Sequence, residues 1–470
     1  MSNLKESFHN GEYEDIMLKY INLLADLEIK FNKFILKRYF NKQPVISNSH
    51  IDSEGNIIKL KYTLADILLI GAITQSSILL SGSSGSGKTL LAKLVTRFLF
   101  GKNGYTRKNI TPDMNEQDFI DIDFGAIKEG KRLKEAISAD EIFSRPSLII
   151  DEANRAPPIV QNRLMQVLEN NIDLKSKIVH AGIKLNSDMY YHWNILTLNY
   201  GSEYAGTSRV DRALKDRVIF NIPIDNFPPT LNDQIKMIRS DLNEILESNI
   251  NSKEEFIVEI FQNLEKIGLS IEAEALILYL GFASNCVKSP SGSKYGILFS
   301  PDYCKDNDCQ YARNPPLNKI CPFTYAPSNR VLRKLVHAAK GFTLLKLAKI
   351  YNYYEENELS FKEKGLEDLN IEVTLEDIIS IAPLILNEKI SMNRDWIINN
   401  FHGNQYFAIK FFLEVIENQL NFFMNNLLKP LYLEKKGEDL SEKDIGIRNK
   451  AKKDDFHFEG LIKYVKEHLI

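Results

Sequence analysis

The sequence predicts an α/β fold: a P-loop-type, doubly wound parallel sheet followed by an α-helical lid. Three observations predict it. Short apolar runs at "SILLSG", "SLIID" and "NILTLN" have the length and bulk of buried strands, with helical text between them, which is the pattern of a parallel sheet covered on both faces. The Gly/Ser-rich octet "GSSGSGKT" stands between the first of these strands and a helix. After Pro223 the strand-like runs cease and helical periodicity dominates.

Residues 14–40 alternate apolar and charged side chains at helical spacing and read as one amphipathic helix, docked on the core or offered to a partner. Residues 41–56, with Pro44, Ser47, Asn48, Ser49 and Gly55, read as a linker. "TLADILLIGAI" is helical, and "KTLLAKLVTRFLFG" is a helix closed by Gly101. The polar–apolar alternation of 171–190 suggests a hairpin, and 396–430 a helical cap rich in Phe, Ile and Leu. The charged stretch 434–455 reads as a solvated linker. The expected organisation is an N-terminal extension and linker (1–60), an α/β core (61–224), a helical lid (225–395) with a cysteine-rich insert (286–321), and a helical C-terminal extension (396–470).

The chain has 470 residues, 44% hydrophobic and 26% charged, as expected of a folded soluble protein. Lys+Arg 59 against Asp+Glu 62 leaves a net charge of -3, so no global basic field points to nucleic acid. Acids precede the first apolar run, unlike a secretory signal, and no run approaches the roughly 18 apolar residues of a membrane span. A soluble, cytoplasmic protein is expected.

The octet matches G-x-x-x-x-G-K-[ST] in the strand–loop–helix context that motif requires. Gly82, Gly85 and Gly87 allow the backbone near phosphate oxygens, which loop N–H groups and the helix N-terminus would meet. Ser83, Ser84, Ser86 and Leu90 complete the expected cradle. Lys88 would reach the β- and γ-phosphates and the Thr89 hydroxyl would hold Mg²⁺. In "LIIDEANRAPP" a buried strand ends in two acids, a costly arrangement unless something cationic faces them. A metal and a triphosphate would do so: Asp151 at the Mg²⁺, and Glu152 orienting or deprotonating the attacking water.

"LIIDEANRAPPIVQNRLMQVLENN" resembles the second nucleotide motif (Walker B) of MoxR-type AAA+ ATPases, the octet being the first (Walker A). "NITPDMNEQDFID" is similar to that family's Thr-Pro-Asp segment before its helix-2 insert. "ILTLNYGSEYAGTSRVDRALKDRVIFNIPID" is similar to its sensor 1 and arginine-finger stretch, and "APSNRVLRKLVHAAK" and "VTLEDIISIAPLILNEKI" to its lid. The resemblance is dense over 60–225 and sparse over 325–390. It implies an ATP-hydrolysing AAA+ motor or chaperone, assembled as a ring with itself, usually a hexamer. The implied client is a protein, of a kind often carrying a von Willebrand A-type domain. Asn199 matches sensor 1, though an Asn after a strand is also a common turn former. Arg217 matches the arginine finger, with Arg212 and Arg209 as rivals and a surface ion pair as the plain alternative. Arg330 matches sensor 2, with Arg333 one turn on; Ser-Asn-Arg stands where Ser-Pro-Arg is typical. A nucleic-acid-associated motor of restriction or anti-phage type, or a slow nucleotide-gated switch, are the other readings of the same core.

Cys286, Cys304, Cys309 and Cys321 fall within a loop-like segment. A structural Zn²⁺ site would suit it, C-x₄-C being a zinc half-site, while unliganded thiols or a redox pair fit the same spacing.

Overall fold

The computed structural model describes residues 11–423, apart from 40, 52–54, 56, 123, 131–136, 140, 175–177, 187–188, 200–209, 240–250, 284–322, 326, 358–370 and 393. The four cysteines and the charged stretch 434–455 lie outside the described residues. Two compact units are present: Met1–Ile267 with Lys340–Ile371, and Gly268–Ala339 with Glu372–Ile470.

The first unit is built on five parallel strands: β1 (Ile78–Gly82), β2 (Tyr105–Asn109), β3 (Ser147–Asp151), β4 (Trp193–Asn199) and β5 (Phe220–Pro223). Their order is β5-β1-β4-β3-β2. Side chains alternate between the sheet faces. Leu79, Leu148, Ile150, Leu196 and Leu198 form one core with Val160, Leu164 and Val167 of a helix over Pro158–Leu168. Ile78, Leu80, Ile149 and Ile195 are fully buried on the other face. There the helix Lys88–Phe100 packs on β1, β3 and β4. The sheet is therefore covered on both faces, as its apolar strands predict.

Two strands were illegible in the sequence. β2 reads "YTRKN", a half-exposed edge strand with no apolar run, and β5 is four residues ending in Pro223. The segment read as a linker is also more ordered than expected. Ile46–Ile51 pairs antiparallel with Ile57–Tyr62, whose Ile58, Leu60 and Tyr62 are buried in strict alternation. The stretch 171–190 forms two short hairpins, Asn171–Asp173 with Ile178–His180 and Ile183–Lys184 with Tyr190–Tyr191.

The amphipathic N-terminal segment is a helix over Gly11–Leu36 with Met17, Ile21, Leu24, Phe31 and Ile35 buried. It is tied down by charge as well. Lys349, from the portion of helix Asn329–Glu356 that belongs to this unit, reaches Glu28 Oε1 (2.5 Å) and Asp66 Oδ1 (3.3 Å). Asn352 donates to Glu28 Oε2 (3.0 Å). Burial works against the charged lysine, but Asp66 and Glu28 outweigh it and raise the Lys349 pKa.

His192, just before β4, is 1% exposed with Nδ1 2.9 Å from the Arg145 carbonyl. Burial lowers its pKa to about 4, against weaker opposition from the Arg145 carbonyl. Above the unfolded value near 6.5 the ring is neutral in both states. As pH falls from about 6.5 towards 4, only the unfolded chain takes up the proton, so stability is lost over that window. A shift of this size corresponds to about 3 kcal/mol. Urea midpoints at pH 7 and 4.5 should differ strongly in the wild type and much less in His192→Gln; identical pH dependence would remove His192 as the cause.

The described part of the second unit is mainly helical, with Ile271–Leu278, Leu375–Leu386, Arg394–Phe401 and Gln405–Phe423, and carries two short strand pairs, Gly268–Leu269 with Glu372–Val373 and Phe323–Tyr325 with Ser391–Met392. Thr374 and Asp377 form a capping box on the second of these. The expected C-terminal helical text is broken at His402 (φ 52) and Gly403 (φ 82), where the chain turns between the last two helices. Among the described residues no helix is long and apolar enough to cross a membrane.

Candidate nucleotide site

The loop after β1 is shaped by glycines and by its own lysine. Gly85 (φ 78) and Gly87 (φ 84) lie in the left-handed region, and Gly87 caps the helix Lys88–Phe100 without a side chain. The ammonium of Lys88 donates to the Gly82 carbonyl (3.0 Å), the Ser83 carbonyl (2.5 Å) and Ser86 Oγ (3.0 Å), folding the loop around itself. Burial lowers the Lys88 pKa, partly offset by Asp225 and Asp151. Asp225, just beyond β5, accepts from Ser83 N (2.8 Å) and Ser83 Oγ (3.0 Å). Gly82 has φ 155, a conformation that residues with a Cβ rarely adopt, and a Cβ there would also stand 2.8 Å from the Asp225 Oδ1. Tyr39 backs Gly87, its ring 3.1 Å from where a Cβ would stand, with its hydroxyl buried and without a hydrogen-bond partner among the described residues.

The acids of "LIIDEANRAPP" sit beside this loop. Asp151 Oδ1 accepts from Thr89 Oγ1 (2.9 Å) and from Thr197 Oγ1 of β4. Asp151 Oδ2 accepts from Arg107 Nε (3.0 Å) and Nη2 (2.5 Å), both from β2. Burial pushes the Asp151 pKa up, but the hydrogen bonds from Thr197, Arg107 and Thr89 outweigh it and the carboxyl is held below its ordinary value.

Glu152 has φ 57 and ψ 43, a left-handed conformation that is strained for a residue with a Cβ. Its N–H donates to Thr197 Oγ1 (3.0 Å), its Oε1 accepts from Asn199 Nδ2 (3.4 Å), and its Oε2 pairs with Arg155 Nε (2.9 Å). Ala153 and Ala156 are buried in the core, and Pro157 and Pro158 lead into the next helix. The strained acid is thereby anchored on both sides.

The loop, Thr89, Asp151, Glu152 and Asn199 are therefore brought together. Arg217 is placed at the end of a helix over Arg212–Arg217, engaged by Glu169 (3.0 Å), Met165 Sδ (3.3 Å) and the Ala213 carbonyl (3.1 Å). Arg330 and Arg333 stand exposed in the first turns of helix Asn329–Glu356, in the part belonging to the second unit. Arg209 lies outside the described residues. Arg107 and Tyr39 fall outside every quoted motif, while Arg155, Thr197 and Asp225 lie within quoted motifs but take no role from the motif itself.

Thr89 and Asp151 are hard oxygen donors side by side. That suits Mg²⁺, which takes one or two protein oxygens and leaves its other positions to phosphate and water. Among the described residues there is no group of three or more His, Cys, Asp and Glu that could hold a metal ion.

Residues 77–218 match the model of the AAA domain, dynein-related subfamily. The fold is similar to that of a candidate ATPase from Cytophaga hutchinsonii, with a TM-score of 0.55 and 18% identity over 86% of this chain and 98% of that one. A more distant likeness, TM-score 0.38 and 11% identity over 80% of this chain and 62% of that one, is to a full-length MCM homolog from Methanopyrus kandleri. At that score it supports no inference. No curated protein matches the sequence.

Proposed function

The chain carries an AAA+ ATPase domain, and from that premise we propose that it is a MoxR-type ring motor that hydrolyses ATP to remodel or activate a protein client. The observation that carries this reading is the convergence of Lys88, Thr89, Asp151, Glu152 and Asn199 at one loop. Mg²⁺, when bound, would neutralise phosphate charge and orient the reacting γ-phosphoryl. Thr89 and Asp151 would hold it, and Lys88, turned from the loop carbonyls, would bind the phosphates. Glu152 would orient the attacking water and accept its proton, with Asn199 steadying the carboxylate from one side. Arg155 competes for the same carboxylate and would have to yield as the water is taken up.

Arg217 would be the finger acting on a neighbouring subunit's nucleotide, as its motif implies. Release of its guanidinium from Glu169 would accompany ring assembly. Such a step couples nucleotide state to subunit contact, and so to movement of a client.

Mixing tests the ring. Arg217→Ala and Glu152→Gln chains should each be inactive alone, and a mixture should recover turnover, because some interfaces then pair an intact Glu152 with an intact Arg217. Arg217→Ala turning over at nearly the wild-type rate would rule the trans finger out. Stimulation of hydrolysis by DNA, fading with salt, would favour a nucleic-acid motor instead.

A further inference from the structure

We propose that Arg107 is the built-in counter-cation of Asp151, a positioning residue that keeps free divalent cations off the carboxylate and admits the metal only with nucleotide. The proposal rests on the nucleotide-site reading above.

Asp151 is saturated by its own chain. Two N–H groups of the Arg107 fork converge on Oδ2, at 3.0 and 2.5 Å, while the hydroxyls of Thr89 and Thr197 take Oδ1. Four donors fill the roughly four lone-pair positions a carboxylate offers. Thr197 also accepts from the Glu152 N–H and so sits rigidly in the strand, and Thr89 opens the loop helix. Of the side chains that donate to Asp151, Arg107 is the one with a full charge, and it stands on an edge strand with its side chain 42% exposed against 6% for Asp151. The fork can therefore swing away without unpacking the core.

An aqueous divalent ion approaching alone would have to break the fork and then face the charges of Arg107 and Lys88 at short range. The same ion carried by a nucleotide arrives with phosphate charge that offsets both cations, and the loop N–H groups hold the phosphates while Arg107 adjusts. Glu152 is matched in the same way by Arg155 at 2.9 Å. The two adjacent acids are thus each neutralised by an arginine of this chain, and the site has no net demand for a metal until nucleotide brings one.

The test is Mn²⁺ binding to the full chain without nucleotide, read from the EPR signal of free Mn²⁺. Wild type, Arg107→Gln and Arg107→Lys are compared, with fluorescent ADP binding measured on each in Mg²⁺ and in EDTA. Arg107→Gln should bind Mn²⁺ about tenfold more tightly than wild type. Arg107→Lys should stay near wild type because it keeps the charge, and adding Asp151→Asn to Arg107→Gln should abolish the gain. Arg107→Met makes the same comparison should the glutamine variant fold poorly. Unchanged or weaker Mn²⁺ binding in the neutral variants, or a lysine variant that behaves like glutamine, would overturn the proposal while ADP binding remains intact. Absence of ADP binding in the wild type would overturn the nucleotide site itself.

Discussion

Glu152→Gln should lower ATP turnover roughly 100-fold or more while leaving ATP bound, since loss of a positioned general base costs on the order of 10²–10⁴ in rate. The substitution is nearly isosteric: the side-chain amide oxygen can still accept from Asn199, and the backbone N–H keeps its bond to the Thr197 hydroxyl, so the strained turn at Glu152 is retained. What changes is the proton acceptor and the ion pair with Arg155. Phosphate release read against fluorescent ATP binding separates the two effects. A variant that still hydrolyses at near wild-type rate would place the base elsewhere.

Lys88→Ala should weaken nucleotide binding about 100-fold, from the loss of charge-assisted bonds to phosphate worth roughly 1.5–3 kcal/mol each. The lysine also holds the loop, through the Gly82 and Ser83 carbonyls and Ser86 Oγ, so some loss of stability accompanies the change. Thermal unfolding without nucleotide measures that part, and fluorescent ADP titration measures the binding. ADP affinity unchanged in the variant would contradict the role given to Lys88.

The features readable in the sequence are those that need rare residue types at fixed spacing. The octet is legible because Gly85 and Gly87 adopt backbone conformations that few other residues accept, beside a lysine and a threonine. Strands β1, β3 and β4 are legible because burial on both faces demands unbroken apolar runs. The paired acids were readable as a site, but the reason they are tolerated was only half visible. The sequence pointed to a metal and a triphosphate, whereas the fold also matches them with Arg107 and Arg155. Arg107 is 44 residues from Asp151 and lies on a strand that reads as polar text, so nothing local announces the pair. Thr197 and Asp225 are similar cases, 46 and 142 residues from the groups they hold. Partners of this kind are brought together by strand order, and the order β5-β1-β4-β3-β2 is a property of packing that no short motif encodes. The pairing of Ile46–Ile51 with Ile57–Tyr62 is hidden for a different reason, because Ser47, Asn48 and Ser49 in its first strand, with Pro44 just before it, outweigh the alternation in its second.

The most direct measurement is phosphate release from ATP by the wild-type chain over a range of protein concentrations, with Mg²⁺ and with EDTA. Release that requires Mg²⁺, with a rate per chain that climbs as concentration rises, is the result expected of an ATPase completed by its neighbours. Release that is absent with Mg²⁺, or whose rate per chain is constant at all concentrations, would contradict it.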